Sequence, residues 1–355
     1  MKILISGGAG FVGSSLAKSF KKANSAHEIV AFDNLRRRGS ERNLPDFKKL
    51  GIEFVHGDIR VLSDLEDLGS RKFDLFIDAA AEPSVLAGLS GSPQYVLQTN
   101  LSGTLNSLEY ARRSCGSFLF LSTSRVYSLA ALRGIRLSET PTRFIADAEQ
   151  NQVGVGPNGV DVDFSVSSAR SLYGASKLCS EQVAQEYSDT YKLPVLINRC
   201  GVIAGPGQFG KVDQGVFTLW VANHVFGKSL KYTGFGGEGK QVRDLLHPDD
   251  LYALLLKQIE GRQAWQGQVY NVGGGTDVSV SMQEMTKLCQ DISGKKIEIM
   301  SNPETNPVDI PFYVTDNARV EKTYAWHRSK TPIDIVREIY EWIRANEADL
   351  RHVFA

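Results

Sequence analysis

Tyr173 and Lys177 stand four residues apart in a stretch, Ser171 to Tyr191, whose spacing predicts a helix, so both side chains share one helix face. A free tyrosine has a pKa of about 10, and a neighbouring ammonium stabilises the phenolate. The pair therefore suits removal of a hydroxyl proton near neutral pH. The same spacing also occurs in plain surface pairs. Here it follows a predicted strand, Ser117 to Ser122, that leads into Leu121-Ser122-Thr123. Strand C-termini are where open α/β sheets bind ligands. Thr123 donates and accepts hydrogen bonds, which suits it to hold a substrate hydroxyl beside Tyr173.

A second constellation lies near the N-terminus. Gly7, Gly10 and Gly13 form G-x-x-G-x-x-G, with Phe11 and Val12 inside it, between an apolar run (Lys2 to Ser6) and a helical pattern (Phe11 to Lys22). Glycines allow a tight turn and let a diphosphate approach the backbone, and the helix N-terminus offers free N–H groups. Asp33, followed by Asn34, ends the second predicted strand, where a carboxylate binds adenosine ribose hydroxyls. Asp33 favours NAD over NADP because it repels a 2′-phosphate. Arg36, Arg37 and Arg38 follow at once; they are either a solvated loop or a hold on that phosphate. NAD is the expected cofactor, with Asn34 and Arg38 in its binding set.

The elements that must position these residues are legible as a rhythm. Further strands are predicted at Glu28 to Asp33, Glu53 to His56, Leu75 to Ala80 and Val195 to Arg199, with helices between, including Pro93 to Ser114. Nearly continuous apolar strands alternating with helices predict an α/β fold, a doubly wound parallel Rossmann sheet. After Arg199 the chain is glycine-rich and mixed, which predicts a smaller C-terminal substrate lobe. The expected boundaries are 1–200 and 241–273 for the NAD-binding domain, and 201–240 and 274–355 for the substrate lobe, with the reaction between them. The stretch from Leu129 to Ala169 carries weak structure signals and reads as a long functional or mobile loop.

Composition narrows the classes. The 355 residues suit about two domains. Lys plus Arg and Asp plus Glu are each 40, so the formal charge is zero and neither nucleic acid nor an anionic membrane is an expected partner. Cations concentrate locally at Arg36–Arg38, Arg199 and Arg243, as if placed for two small diphosphates. The four Cys are widely spaced, which fits reduced thiols in a cytoplasm. Val216 to Phe226 is too short and polar to span a membrane, and the N-terminus reads as a strand rather than a signal peptide. His224 and His247 show no partner at metal spacing, so no metal is expected.

Taken with Asp58-Ile59, Asn100 to Glu109, Ser122 to Tyr127 and Gln241 to Asp250, these motifs resemble the extended short-chain dehydrogenases/reductases that act on nucleotide sugars. The resemblance covers nearly the whole chain. It implies a catalytic triad of Thr123, Tyr173 and Lys177. It places Asp58 and Ile59 at the adenine, Ala79 and Ala80 beside the diphosphate and ribose, and Asn100 and Cys200 at the nicotinamide, with Ser122 also in the cofactor-binding set. It gives Gln214, Gly215, Val216 and above all Arg243 to the nucleotide-sugar substrate; the alternative for Arg243 is an ion pair with Asp244 or a neighbouring acid. The segments Asn198 to Pro206, Lys211 to Gly215, Gln241 to His247 and Asp309 to Asp316 are most similar to the CDP-paratose 2-epimerase (CDP-tyvelose epimerase) subgroup.

That likeness implies tightly held, recycled NAD, carbon-2 epimerisation of a CDP-hexose, and a homodimer or homotetramer that uses the region Pro93 to Ser114. A UDP-hexose 4-epimerase is the alternative, and a non-catalytic NAD-sensing scaffold a further one. Three departures bear on the choice. Asp78 stands where many relatives have His. Val202 stands where 4-epimerases commonly have Asn. Ser124 and Arg125 replace the Asp-Glu pair of the nucleotide-sugar 4,6-dehydratases.

Overall fold

The computed structural model describes residues 1–210, 214–351, 353 and 354. The expected alternation appears as β1 (Lys2–Ser6), α1 (Phe11–Ala23), β2 (Glu28–Asp33), β3 (Glu53–His56), β4 (Leu75–Asp78), α2 (Gly103–Ser114), β5 (Phe118–Thr123), α3 (Leu172–Tyr191), β6 (Val195–Cys200) and β7 (Gln268–Val272). These strands form one seven-stranded sheet in the order β7-β6-β5-β4-β1-β2-β3. The pairs β1–β2, β1–β4, β2–β3 and β4–β5 run parallel. Every residue of β4 and β5 is buried, as strands covered on both faces require. The strand order reverses between β1 and β4, the switch point at which such Rossmann-type sheets take ligands.

The chain divides into two compact units. The first comprises Met1–Val126, Ser171–Arg199 and Leu251–Tyr270; the second comprises Tyr127–Arg170, Cys200–Asp250 and Asn271–Ala355. Residues 127–170, counted with the first domain from sequence, cluster with the second unit, and so does Gln241–Asp250. The cause is long-range pairing. Val160 donates its N–H to the Val314 carbonyl at 2.8 Å. The Arg143 guanidinium takes the Glu284 carboxylate at 2.6–3.0 Å. The segment is also not featureless: it holds a helix (Leu129–Arg133) and two hairpins, Leu137–Glu139 with Phe144–Ala146 and Val155–Gly156 with Gly159–Val160.

Within the first unit, Leu4, Phe32, Phe76, Phe118 and Ile197 pack as one core. The helix expected from Pro93 to Ser114 is a succession instead. It runs Gln94–Leu97, then a widened π turn over Gln98–Ser102, then α2. Such turns cluster at functional positions because they re-aim one side chain. Within the second unit, Val216–Phe226, Met282–Ser293 and Pro332–Ala345 pack through Phe217, Trp220, Met285, Ile339 and Ile343. Two of these helices begin with capping boxes, Ser281 with Glu284 and Thr331 with Asp334. Among the described residues, no helix is long and apolar enough to cross a membrane.

The thiols separate by environment. Cys179 is exposed, Cys115 is half-buried, and Cys200 and Cys289 are buried. Burial pushes the Cys115 thiol up to about 12 and raises that of Cys289 as well. A thiol-reactive dye should therefore label Cys179 rapidly in the native protein and all four after denaturation. Rapid native labelling of Cys115 or Cys289 would contradict the packing.

Candidate active site

The glycine turn is built for close approach. Gly7 has φ +61°, and a Cβ there would lie 2.8 Å from Ala80 Cα. A Cβ on Gly13 would lie 2.2 Å from the Gly7 carbonyl oxygen, so α1 can start this close to β1 only with glycine at that position. Gly10 is the N-cap of α1 and brings no side chain to cap it. The N-terminal N–H groups are thus presented as an anion site. Asp33, at the end of β2, accepts N–H bonds from Ala9 at 3.1 Å and Leu35 at 2.7 Å. Burial raises its pKa, against the backbone bonds that hold the charged form.

Beyond β3, Asp58 is gripped by the Arg60 fork at 2.6–3.0 Å and by Asn34 Nδ2 at 2.9 Å. Partial burial would raise the Asp58 carboxyl, but these bonds outweigh it and bring it down to about 2. Asn34 thus helps to fix the Asp58 carboxylate. Arg60 and Arg36 both lie over the Tyr95 ring, 5.0 and 4.3 Å from its centre. Arg38 is exposed. Ile59 is buried and its carbonyl accepts Asn106 Nδ2 at 2.8 Å. The Ala79 and Ala80 N–H groups reach Ser6 at 3.3 Å, through its carbonyl and hydroxyl oxygens respectively.

The π turn delivers Asn100 inward. Its carboxamide holds both polar groups of the Glu82 backbone, at 2.8 and 3.0 Å, and donates to Ser176 Oγ at 3.1 Å. Asn100 thus ties the loop after β4 to α3. The chemistry-bearing face of α3 is sealed against the sheet: Tyr173 is 9%, Lys177 2% and Glu181 1% exposed. The Lys177 ammonium lies 3.8 Å from the centre of the Phe120 ring. Glu181 accepts a short hydrogen bond from Ser122 Oγ and is forked by Arg199 at 2.7–3.1 Å. Thr123 ends β5, buried, and its Oγ1 accepts the Arg125 N–H at 3.2 Å. Cys200 is buried at the end of β6.

The structure gives Arg199, Ser122 and Arg243 partners within the protein. Arg199 is not a cation for a diphosphate; it is the buried partner of Glu181. The Ser122 hydroxyl is engaged with Glu181. Arg243 is ion-paired, with Asp309 at 2.9 Å rather than Asp244, and also donates to the Ile310 and Val242 carbonyls at 2.7 Å. Asp244 instead accepts the Gly275 and Thr315 N–H groups. Gly215, at φ +70°, starts the helix whose first residue is Val216; Gln214 precedes it, and Lys211 to Asp213 lie outside the described residues. His247 does gain acidic neighbours, Asp249 at 3.5 Å and Glu338 at 3.2 Å, with the Lys330 ammonium 2.6 Å from Glu338 supplying positive charge. Glu181, Arg60 and Tyr95 were not singled out from sequence. Extending Tyr-x-x-x-Lys by one more turn would have found Glu181.

A model of the NAD dependent epimerase/dehydratase family matches residues 3–273. The chain belongs to that family. Among the relatives of this family member, a CDP-paratose 2-epimerase from Salmonella typhi is 31% identical over 350 residues, covering 96% of this chain and 99% of the relative. A probable dTDP-glucose 4,6-dehydratase from Sinorhizobium fredii is 28% identical, covering 98% and 93%. Among solved structures, a double mutant of the dTDP-glucose 4,6-dehydratase from Streptomyces venezuelae, with NAD bound, superposes with a TM-score of 0.78 at 26% identity, covering 99% and 100%. The cofactor of this epimerase/dehydratase is NAD. The glycine turn, which admits no Cβ, the uncapped α1 N-terminus and Asp33 at the end of β2 fit it.

Truncating Glu181 to Ala would remove the carboxylate that the buried Arg199 guanidinium forks. The expected loss is about 3–5 kcal/mol of folding stability, read by denaturant unfolding. A loss under about 1 kcal/mol, the range of an exposed pair, would show that the ion pair does not hold α3 to β6.

Proposed function

We propose that this chain is a nucleotide-sugar epimerase that inverts carbon 2 of a CDP-activated hexose by transient oxidation. The observation that carries this reading is the likeness to a CDP-paratose 2-epimerase, which runs through 96% of this chain and 99% of the relative. Dehydratases are also similar over the full length. Elimination of water needs an acid and a base beside the sugar, and here Thr123 is followed by Ser124 and Arg125. That replacement favours the epimerase.

The roles follow from residue chemistry. Tyr173, as phenolate, takes the proton of the sugar hydroxyl and later returns it. Lys177 stabilises the phenolate and holds the cofactor ribose. Thr123 orients the hydroxyl. Arg243 is assigned to the substrate diphosphate, where its fork suits two oxygens at once; Gln214, Gly215 and Val216 are assigned to the same substrate. Asp33, Asn34, Asp58 and Ile59 hold the adenosine end. NAD, held by these residues, would supply reversible hydride transfer at the sugar carbon, with removal from one face and return to the other, so that turnover would carry no net redox change. We assign NAD binding to the first compact unit and recognition of the nucleotide sugar to the second.

A screen of CDP-, UDP-, dTDP- and GDP-hexoses, with stereochemistry read by NMR, tests the assignment. The account expects inversion at carbon 2 of a CDP-hexose, no accumulation of NADH, and a roughly 10²–10⁴-fold fall in kcat for Tyr173→Phe with NAD still bound. Inversion at carbon 4 of a UDP-hexose would replace the substrate assignment. Stoichiometric NADH release would end the epimerase reading, and near-normal turnover of Tyr173→Phe would remove that residue as base.

A further inference from the structure

Asp78 is a carboxylate with no solvent exposure at all, and nothing in the mechanism above uses it. Its place is set by register. Ser6 of β1 pairs with Asp78 of β4, and Asp78 pairs with Phe120 of β5, so the three side chains stand in a row on one face of the sheet. Ser6 Oγ donates to Asp78 Oδ1 at 2.6 Å, and Thr104 Oγ1 of α2 donates to Oδ2 at 3.1 Å. At the end of that row, the Lys177 ammonium sits 3.8 Å from the centre of the Phe120 ring, itself almost fully buried.

The surrounding charges sort into pairs. Ser6, Thr104 and Phe120, from three different elements, are neutral. Lys177 is the charged group that acts on Asp78. The next ionisable residue on that face of α3, Glu181, is committed to Arg199 and Ser122. A buried ammonium without a counter-charge gives up its proton, since burial penalises the charged form. The Phe120 ring face adds a cation–π hold on the ammonium, weaker than the penalty of burying its charge. Burial raises Asp78 and the Lys177 charge lowers it, so each of the two charges favours the other.

Resting on the Tyr173–Lys177 reading above, we propose that Asp78 is the counter-ion that keeps Lys177 protonated, and so is a positioning residue for proton transfer at Tyr173. It acts through Lys177 and touches neither substrate nor cofactor. The carboxylate at the end of β4 thereby ties ionisation of Tyr173 to the interior of the sheet.

An ultraviolet titration of the phenolate tests this without any substrate. The signal of Tyr173 is the difference between the wild-type titration and that of Tyr173→Phe. Asp78→Asn keeps the shape and removes the charge. Lys177 then loses its proton more readily, and the Tyr173 midpoint should move to higher pH by about one unit or more. Thr104→Val removes one of the two hydroxyl donors and should move the midpoint the same way by less, which keeps the test open if Asp78→Asn does not fold. An unmoved midpoint with reduced thermal stability would make Asp78 purely structural and overturn the inference. A downward shift would overturn it too, because Asp78 would then act only by repelling the phenolate. Failure of the underlying reading looks different: wild type and Tyr173→Phe would titrate alike across the range in which the enzyme works.

Discussion

The arrangement depends on one electrostatic constraint: α3 buries two opposite charges, Lys177 and Glu181, one turn apart on the face that meets the sheet. Neither can be left alone there, because an unpaired buried charge costs several kcal/mol. Glu181 is met by the Arg199 fork from β6 and the Ser122 hydroxyl from β5. Lys177 is met by the Phe120 ring of β5, and its charge favours the ionised form of the Asp78 carboxyl on β4. These partners come from three adjacent strands. They fix both the rotation of α3 about its axis and its height above the sheet. Tyr173 has no freedom to choose its place once Lys177 and Glu181 are paired.

The same economy governs the cofactor end. The glycine turn contributes geometry rather than charge: it brings β1, α1 and the loop after β4 closer than any Cβ permits. The carboxylates at the ends of β2 and β3 supply the polarity, Asp33 on backbone N–H groups and Asp58 on Asn34 and Arg60. A chain of zero formal charge is therefore locally sorted into pairs. The cations that first suggest diphosphate sites divide accordingly. Arg199 serves the fold. Arg243 is held by Asp309 and by the Ile310 and Val242 carbonyls.

Much of this was legible in the sequence because it is local. Strand-turn-helix around Gly7 to Gly13, Asp33 at a strand end, and the Tyr173–Lys177 spacing are each set by neighbours within a few residues. What was not legible depends on partners far away in the chain. Periodicity does not reveal that Asn100 sits in a π turn rather than a regular helix, or that it pairs with Glu82 and Ser176. Composition does not show that Arg199 is claimed by Glu181 or Arg243 by Asp309. The stretch from Leu129 to Ala169 carries weak signals because its hairpins are short and are completed by Val314 and Glu284, more than a hundred residues on.

The central claim is that the buried Tyr173–Lys177 face performs a transient oxidation whose hydride returns to the same sugar. Its most direct test is mass and NMR analysis of product made from a ring-deuterated CDP-hexose in ordinary water. The account predicts a product of unchanged mass that keeps every deuterium, with one stereocentre inverted. A product lighter by one water, or one in which a ring deuterium has been replaced by solvent hydrogen, would contradict it.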